Sequence, residues 1–254
     1  MMTVREIYEA LEKRIPRALS CEWDNDGLMC CPEPQASVRR VLIALDVTGD
    51  TVRHAIDGAY DLIVSHHPMI FRPLKAVDPA QYVAKRAVEL LRAGVSVMSF
   101  HTRLDAVVGG VNDTLAALLG LIEVVPFGEE GIGRVGNLAR SCSLDAFADT
   151  VKRVTGAPAV LLGDAERPVG RVALLGGSGS DDVAAAKQTG ADTYLSGELA
   201  YHALCDAKEN GMNLVAAGHF YTEAPVCRTL QALLLELDPS LTVDLFDSNR
   251  VRLR

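Results

Sequence analysis

Most of the histidines in this chain sit in patterns that could do chemistry. His66 and His67 are adjacent in Ser65-His66-His67-Pro68, and two further histidines each have a carboxylate four positions on. These are His101 with Asp105, in His101-Thr102-Arg103-Leu104-Asp105-Ala106, and His219 with Glu223, in His219-Phe220-Tyr221-Thr222-Glu223-Ala224. Imidazole with carboxylate is the ligand set of borderline divalent ions such as zinc, iron, manganese and nickel. Two ions need more ligands than one and a bridge needs a carboxylate, so the pattern suggests a dinuclear metal centre. A lone histidine after a strand is more often a helix cap or a hydrogen-bonded core residue. Here five of the six fall at strand ends or just beyond, which favours ligation. His54 lies mid-helix and reads as structural. His202 follows Glu198 by four, so it either lines the same site or makes an ordinary surface pair.

The elements that position these residues follow a β-α-β grammar. Thr3 followed by Glu6 is a capping-box pattern, predicting a helix over 4–14 that Pro16 stops. Next come a strand at 41–45, a helix at 49–58, a strand at 62–64, a helix at 80–93, a strand at 95–100 and a helix at 111–119. The stretch 124–140 contains Pro126, Gly128, Gly131, Gly133 and Gly136 and reads as turn chemistry at a domain boundary. Beyond it the grammar repeats, with strands at 172–175, 193–195 and 214–216 and helices at 181–189, 199–210 and 224–237.

The two halves can be laid on one another. Asp61-Leu62-Ile63-Val64-Ser65 matches Asp192-Thr193-Tyr194-Leu195-Ser196, each after a Gly-Ala dipeptide, and each leads through a helix and a strand to the His-x-x-x-acid motif. An internal duplication is the economical explanation. The expected fold is α/β: two similar lobes, 1–125 and 126–254, with mixed sheets flanked by helices and termini free to pack across lobes. In such sheets ligands gather outside the carboxyl ends of the strands, where every candidate lies, so the metal site is expected in the crevice between lobes.

Bulk properties narrow the class. With 254 residues, 49% hydrophobic and 23% charged, the chain can bury one large or two small cores. A net charge of −8 argues against sequence-independent nucleic-acid binding, which needs a basic face. The six cysteines lack C-x-x-C spacing and read as reduced, mostly core thiols. The first residues lack a charged-then-apolar leader and no apolar run suits a bilayer, so the expected location is the cytoplasm.

With these residues in place, the chain resembles the dinuclear metal-centre family called GTP cyclohydrolase I type 2 homologues, or NIF-three-like proteins. The resemblance rests on Trp23-Asp24-Asn25-Asp26-Gly27-Leu28, Ser65-His66-His67-Pro68, His101-Thr102-Arg103-Leu104-Asp105, Gly176-Gly177-Ser178-Gly179, Ser196-Gly197-Glu198 and Gly218-His219-Phe220-Tyr221-Thr222-Glu223, in that order. It implies two divalent ions per chain on His66, His67, Asp105, His219 and Glu223, with Glu223 bridging. His67 and Asp105 would hold one ion, His66 and His219 the other. It further implies a homohexamer built as a trimer of dimers. The extra domain of longer members is expected to be missing here.

Five protein ligands for two ions would leave open positions, which favours a reactive centre over a structural one. Hydrolysis of a nucleotide or related small molecule is the leading reaction. Opening a purine imidazole ring needs hydroxide attack at carbon and proton delivery to nitrogen, catalytic roles open to His101 and Glu198. The alternatives are a non-catalytic metal-handling hexamer and an interaction scaffold. A phosphoesterase with an Asp-His-His motif is disfavoured because Ser65 precedes the histidine pair. The Gly176–Gly179 turn is either a phosphate cradle or a plain tight turn, and it is not a Walker motif.

Overall fold

The computed structural model describes residues 1–128 and 130–251. Its first helix, α1 (Val4–Arg14), begins as the capping box requires: the Thr3 hydroxyl accepts from the Glu6 amide while the Glu6 carboxylate accepts from the Thr3 amide. Ile7 and Leu11 are fully buried on one face.

The first half continues with β1 (Gly27–Cys30), β2 (Arg40–Ala44), α2 (Gly49–Asp57), β3 (Leu62–Ser65), α3 (Tyr82–Ala93), β4 (Ser96–Ser99) and the short α4 (Thr102–Ala106). The second comprises α5 (Val111–Leu118), β5 (Ile122–Phe127), β6 (Gly133–Cys142), α6 (Leu144–Thr155), β7 (Leu161–Gly163), β8 (Val169–Ser178), α7 (Val183–Gln188), β9 (Thr193–Glu198), α8 (Tyr201–Cys205), α9 (Ala207–Asn210), β10 (Asn213–Ala216) and α10 (His219–Glu223). The chain closes with α11 (Val226–Leu237) and β11 (Thr242–Phe246).

These elements form two compact units. One holds Met1–Val107 with the described residues from Cys227 onward, the other Val108–Val226. The first unit contains a five-stranded sheet in the order β1-β4-β3-β2-β11. Strands β2, β3 and β4 run parallel, β1 is antiparallel at one edge and β11 parallel at the other. Parallel neighbours need crossovers, which α2 and α3 supply. Every residue of β3 and β4 is buried, as expected of strands covered on both faces. Leu42, Ile63, Val97 and Leu90 are fully buried in its core.

The second unit holds a six-stranded sheet in the order β5-β6-β8-β9-β10-β7, with β8, β9 and β10 parallel and the rest antiparallel. Its principal core packs α5 and α6 residues Leu115, Phe147 and Val151 on Val172, Leu174, Leu195 and Val215. The stretch read as turn chemistry is the β5–β6 hairpin, inside this unit. Its glycines punctuate a strand pair, as at Phe127 opposite Gly133. Strands β1, β7 and β11 and helix α6 also went without a sequence signal. The first three are short edge strands whose pairing is long-range.

The repeat extends to individual hydrogen bonds. The Asp61 carboxylate accepts from the Arg39 and Arg40 amides at the start of β2, and Asp192 accepts from the Gly170 and Arg171 amides at the start of β8. The backbone follows suit: Asp61 N donates to Arg40 O as Asp192 N does to Arg171 O, and Phe100 N donates to Ser65 O as Ala217 N does to Ser196 O. Strands β2-β3-β4 and β8-β9-β10 are therefore the same construction.

The six cysteines form no disulfide. Cys21, Cys30 and Cys227 are buried, Cys31 and Cys142 half-buried, and Cys205 is exposed. Burial, with Cys31 beside it, pushes the Cys30 thiol up to about 11, so it stays protonated and inert. Among the described residues no helix is long and apolar enough to cross a membrane.

Candidate metal centre

Each unit gathers groups that could ligate a metal at the carboxyl ends of its parallel strands. In the first unit His66 and His67 leave the end of β3, and His101 caps α4 just after β4. One ring nitrogen from each of the three lies within 4.8 Å of the others. Ring centroids are 4.9 Å apart for His66 and His67, 5.3 Å for His66 and His101, and 5.6 Å for His67 and His101.

The orientation of each ring is fixed through Nδ1. His66 Nδ1 lies 2.9 Å from the Phe100 carbonyl, His67 Nδ1 2.8 Å from Asp46 Oδ1, and His101 Nδ1 2.9 Å from Asp24 Oδ1. A carbonyl or carboxylate only accepts, so each Nδ1 carries a hydrogen and each neutral ring presents Nε2 as its ligating nitrogen. Acceptor-oriented histidine is the usual support for a metal ligand, because it sets tautomer and ring angle. His66 Nε2 faces Asp105 Oδ1 at 3.6 Å, a nitrogen lone pair opposite an anionic oxygen, which a cation between them would satisfy. The donor set thus fits a divalent ion. Within this unit Asp105 approaches His66.

Asp24 anchors one wall. Its side chain is shielded from solvent and accepts from His101 Nδ1, from the Thr102 amide at 3.0 Å and from the Thr102 hydroxyl at 2.6 Å. Burial pushes its carboxyl up, but the His101 and Thr102 hydrogen bonds prevail and bring it down to about 2. Asp26, two residues on, accepts from the His101 amide and from Nε of the fully buried Arg103 at 2.9 Å. The Trp23-to-Leu28 motif is therefore the brace of α4.

In the second unit His219 and Glu223 lie one turn apart on α10, with His219 Nε2 3.1 Å from Glu223 Oε2 and His219 Nδ1 3.3 Å from Glu198 Oε1. Glu223 is buried and Glu198 is exposed. Glycine lets α10 lie this close to the sheet. A Cβ on Gly177 would strike the Glu223 carboxylate, and its φ of +71° already disfavours other residues. One on Gly197 would come within 2.8 Å of the His219 Cα and 2.7 Å of the Thr222 hydroxyl.

The same packing removes the phosphate-cradle reading of the glycine turn. The Gly176 amide donates to Asn112 Oδ1 at 2.7 Å, Gly177 to Thr222 Oγ1 at 3.0 Å and Gly179 to the Glu198 carbonyl at 3.3 Å. Those donors are engaged inside the unit.

A family model described as Duf34/NIF3 (NGG1p interacting factor 3) matches residues 2–250. The chain belongs to the Duf34/NIF3 family. It is 32% identical over 232 residues to the GTP cyclohydrolase 1 type 2 homolog of Clostridium perfringens, covering 89% of this chain and 88% of that one. The Protein NIF3 homolog of Schizosaccharomyces pombe is 32% identical over 222 residues, at 81% and 79% coverage. Among solved structures, a hypothetical protein of Staphylococcus aureus superposes with a TM-score of 0.88 at 24% identity, over 100% of this chain and 99% of that one. Reduced HcgD from Methanocaldococcus jannaschii superposes at 0.84 with 27% identity, over 96% and 97%.

Within this NIF3 family chain the sequence-derived candidates fall into place by unit: His66, His67, His101 and Asp105 cluster in the first, Glu198, His219 and Glu223 in the second. His202 is exposed on α8 and His54 stacks on Phe246 at 4.8 Å, so neither joins either group. Asp46 was missed as a functional residue. It follows β2 just as the histidines follow β3 and β4, so the strand-end rule could have found it.

Proposed function

We propose that this protein holds two divalent ions per chain at one dinuclear centre, served by His66, His67, Asp105, His219 and Glu223 with Glu223 bridging, and that it hydrolyses a nucleotide or related small molecule there. The 3.6 Å approach of His66 Nε2 to Asp105 Oδ1 supports their sharing one ion. The observation that carries the reading is that His66 and His67 are each tied through Nδ1 to a fixed acceptor so that Nε2 is offered for ligation. Family membership and relatives named GTP cyclohydrolase 1 type 2 homolog support it.

A bound pair of such ions supplies hydroxide at neutral pH and polarises a substrate oxygen. The chain's own residues then divide the remaining work. His101, half-buried and hydrogen-bonded through Nδ1 to the anionic Asp24, would act from Nε2 by first taking up a proton there as imidazolium and then handing it to a leaving nitrogen. Glu198, exposed beside His219, can take one up. By the same family resemblance we propose a homohexamer, a trimer of dimers, whose mass light scattering would test.

The test is metal content per chain together with purine-ring opening by metal-loaded protein. Two ions per chain and turnover that His67→Ala abolishes are expected. Equal rates in both proteins would reject the hydrolase, and two tightly held ions with no turnover on a nucleotide panel would favour a metal-handling role instead.

A further inference from the structure

The chain has a single tryptophan, and it is spent on the surface. Trp23 is 62% exposed and Phe71 44% exposed, in a chain whose aromatic content is only 5%. Isolated exposed aromatics need no explanation, but these two meet each other and the histidine cluster. Trp23 and Phe71 are edge-on with centroids 6.1 Å apart, and His101 stands edge-on to both, at 6.2 Å from Trp23 and 6.0 Å from Phe71. The imidazoles of His66, His67 and His101 thus continue into an aromatic corner of two solvent-exposed rings.

The corner is held rigid. Asp24, adjacent to Trp23, accepts three hydrogen bonds from His101 and Thr102. Asn25 Nδ2 donates to the carbonyl of Ile70, tying the loop of Trp23 to that of Phe71. An exposed, pre-organised pair of rings beside reactive groups gains most from a planar partner, since stacking needs a flat π-face and little else.

We infer that Trp23 and Phe71 form an L-shaped platform for a planar heteroaromatic ring, one side chain stacking on its face and the other meeting its edge, which they position against His101 and the metal-ligating histidines. This rests on the dinuclear reading and names the class of substrate the centre takes. Both are positioning residues. A flexible sugar phosphate alone would gain nothing from them.

Because all tryptophan fluorescence arises from Trp23, the platform reports on itself. Guanosine, cytidine and lumazine would be titrated into the full-length protein, with zinc and without, beside ribose 5-phosphate. Saturable quenching by at least one ring and none by the sugar phosphate is expected. Calorimetry on Trp23→Ala and Phe71→Ala should show ring affinity reduced by at least about fivefold, the low end for one lost stacking partner, with zinc content unchanged. Trp23→Phe should retain binding. The platform is overturned if no ring binds, if both alanine variants bind as wild type does, or if either variant lowers the assembled mass, which would make the corner a contact with a second copy. Zinc bound without ring binding sinks the platform alone, whereas absence of zinc binding sinks the dinuclear reading.

Discussion

The two units use one strand plan and fill it with different chemistry. Strand pairing sets Ala44 against Ser65 and Ser99 in the first sheet, and Leu175 against Ser196 and Ala216 in the second. By that register Asp46 corresponds to Gly177, His66 to Gly197, His67 to Glu198 and His101 to Gly218. One unit therefore places two imidazoles and an orienting carboxylate where the other places glycine, and a third imidazole where the other places Glu198. The two His-x-x-x-acid motifs are one residue out of step, for Thr102 and His219 both open the helix that follows. One residue turns a helical side chain by about 100°. His219 accordingly pairs with Glu223, whereas His101 turns to Asp24 and leaves Asp105 to His66. An identical spacing does not guarantee an identical role. The first unit orients its ligands by hydrogen bonds to fixed acceptors, the second by close backbone approach.

That contrast can be broken most severely at Gly177. Gly177→Ala forces a side chain against the Glu223 carboxylate at a left-handed backbone position, and should cost on the order of 3 kcal/mol. A melting temperature lowered by several degrees, with loss of metal measured by plasma emission, is expected; wild-type values for both would show that α10 does not need the close approach. The register-matched position gives a smaller and different effect. Asp46→Asn keeps the size of the side chain but weakens the hold on His67, so metal affinity should drop by about ten- to a hundredfold with the fold intact. A competitive chelator titration reads this directly, and an unchanged affinity would remove Asp46 from the site.

Acid sharpens the comparison least. The Asp24 carboxyl is held at about 2, below its ordinary 3.8, so its contribution is complete above about pH 4 and is lost as pH falls towards 2. The amount is roughly 2 kcal/mol. Denaturant unfolding of the metal-free protein between pH 5 and 2 should show this loss, and Asp24→Asn should flatten it. A wild-type slope in that variant would mean that other carboxylates carry the acid response.

Much of this was legible in the residues. Helix α1 follows from Thr3 and Glu6, and the strands β2, β3, β4, β8, β9 and β10 from apolar runs of the right length bounded by turn residues. Family membership followed from six short motifs in order. Strands β5 and β6 were hidden because their glycines serve strand packing as well as turns. The edge strands β1, β7 and β11 were hidden because a few residues carry too little periodicity to reveal a partner far along the chain.

The sequence by itself determined which side chains could bind metal and that each would stand at the carboxyl end of a strand, since strand order and ligand type are local properties. Only the tertiary structure decided which acceptor holds each imidazole, that His66 meets Asp105, and that the glycine turn makes room for a carboxylate instead of cradling a phosphate. Those outcomes depend on register and on distances between segments remote in sequence. A shift of one residue changes them without altering a single motif.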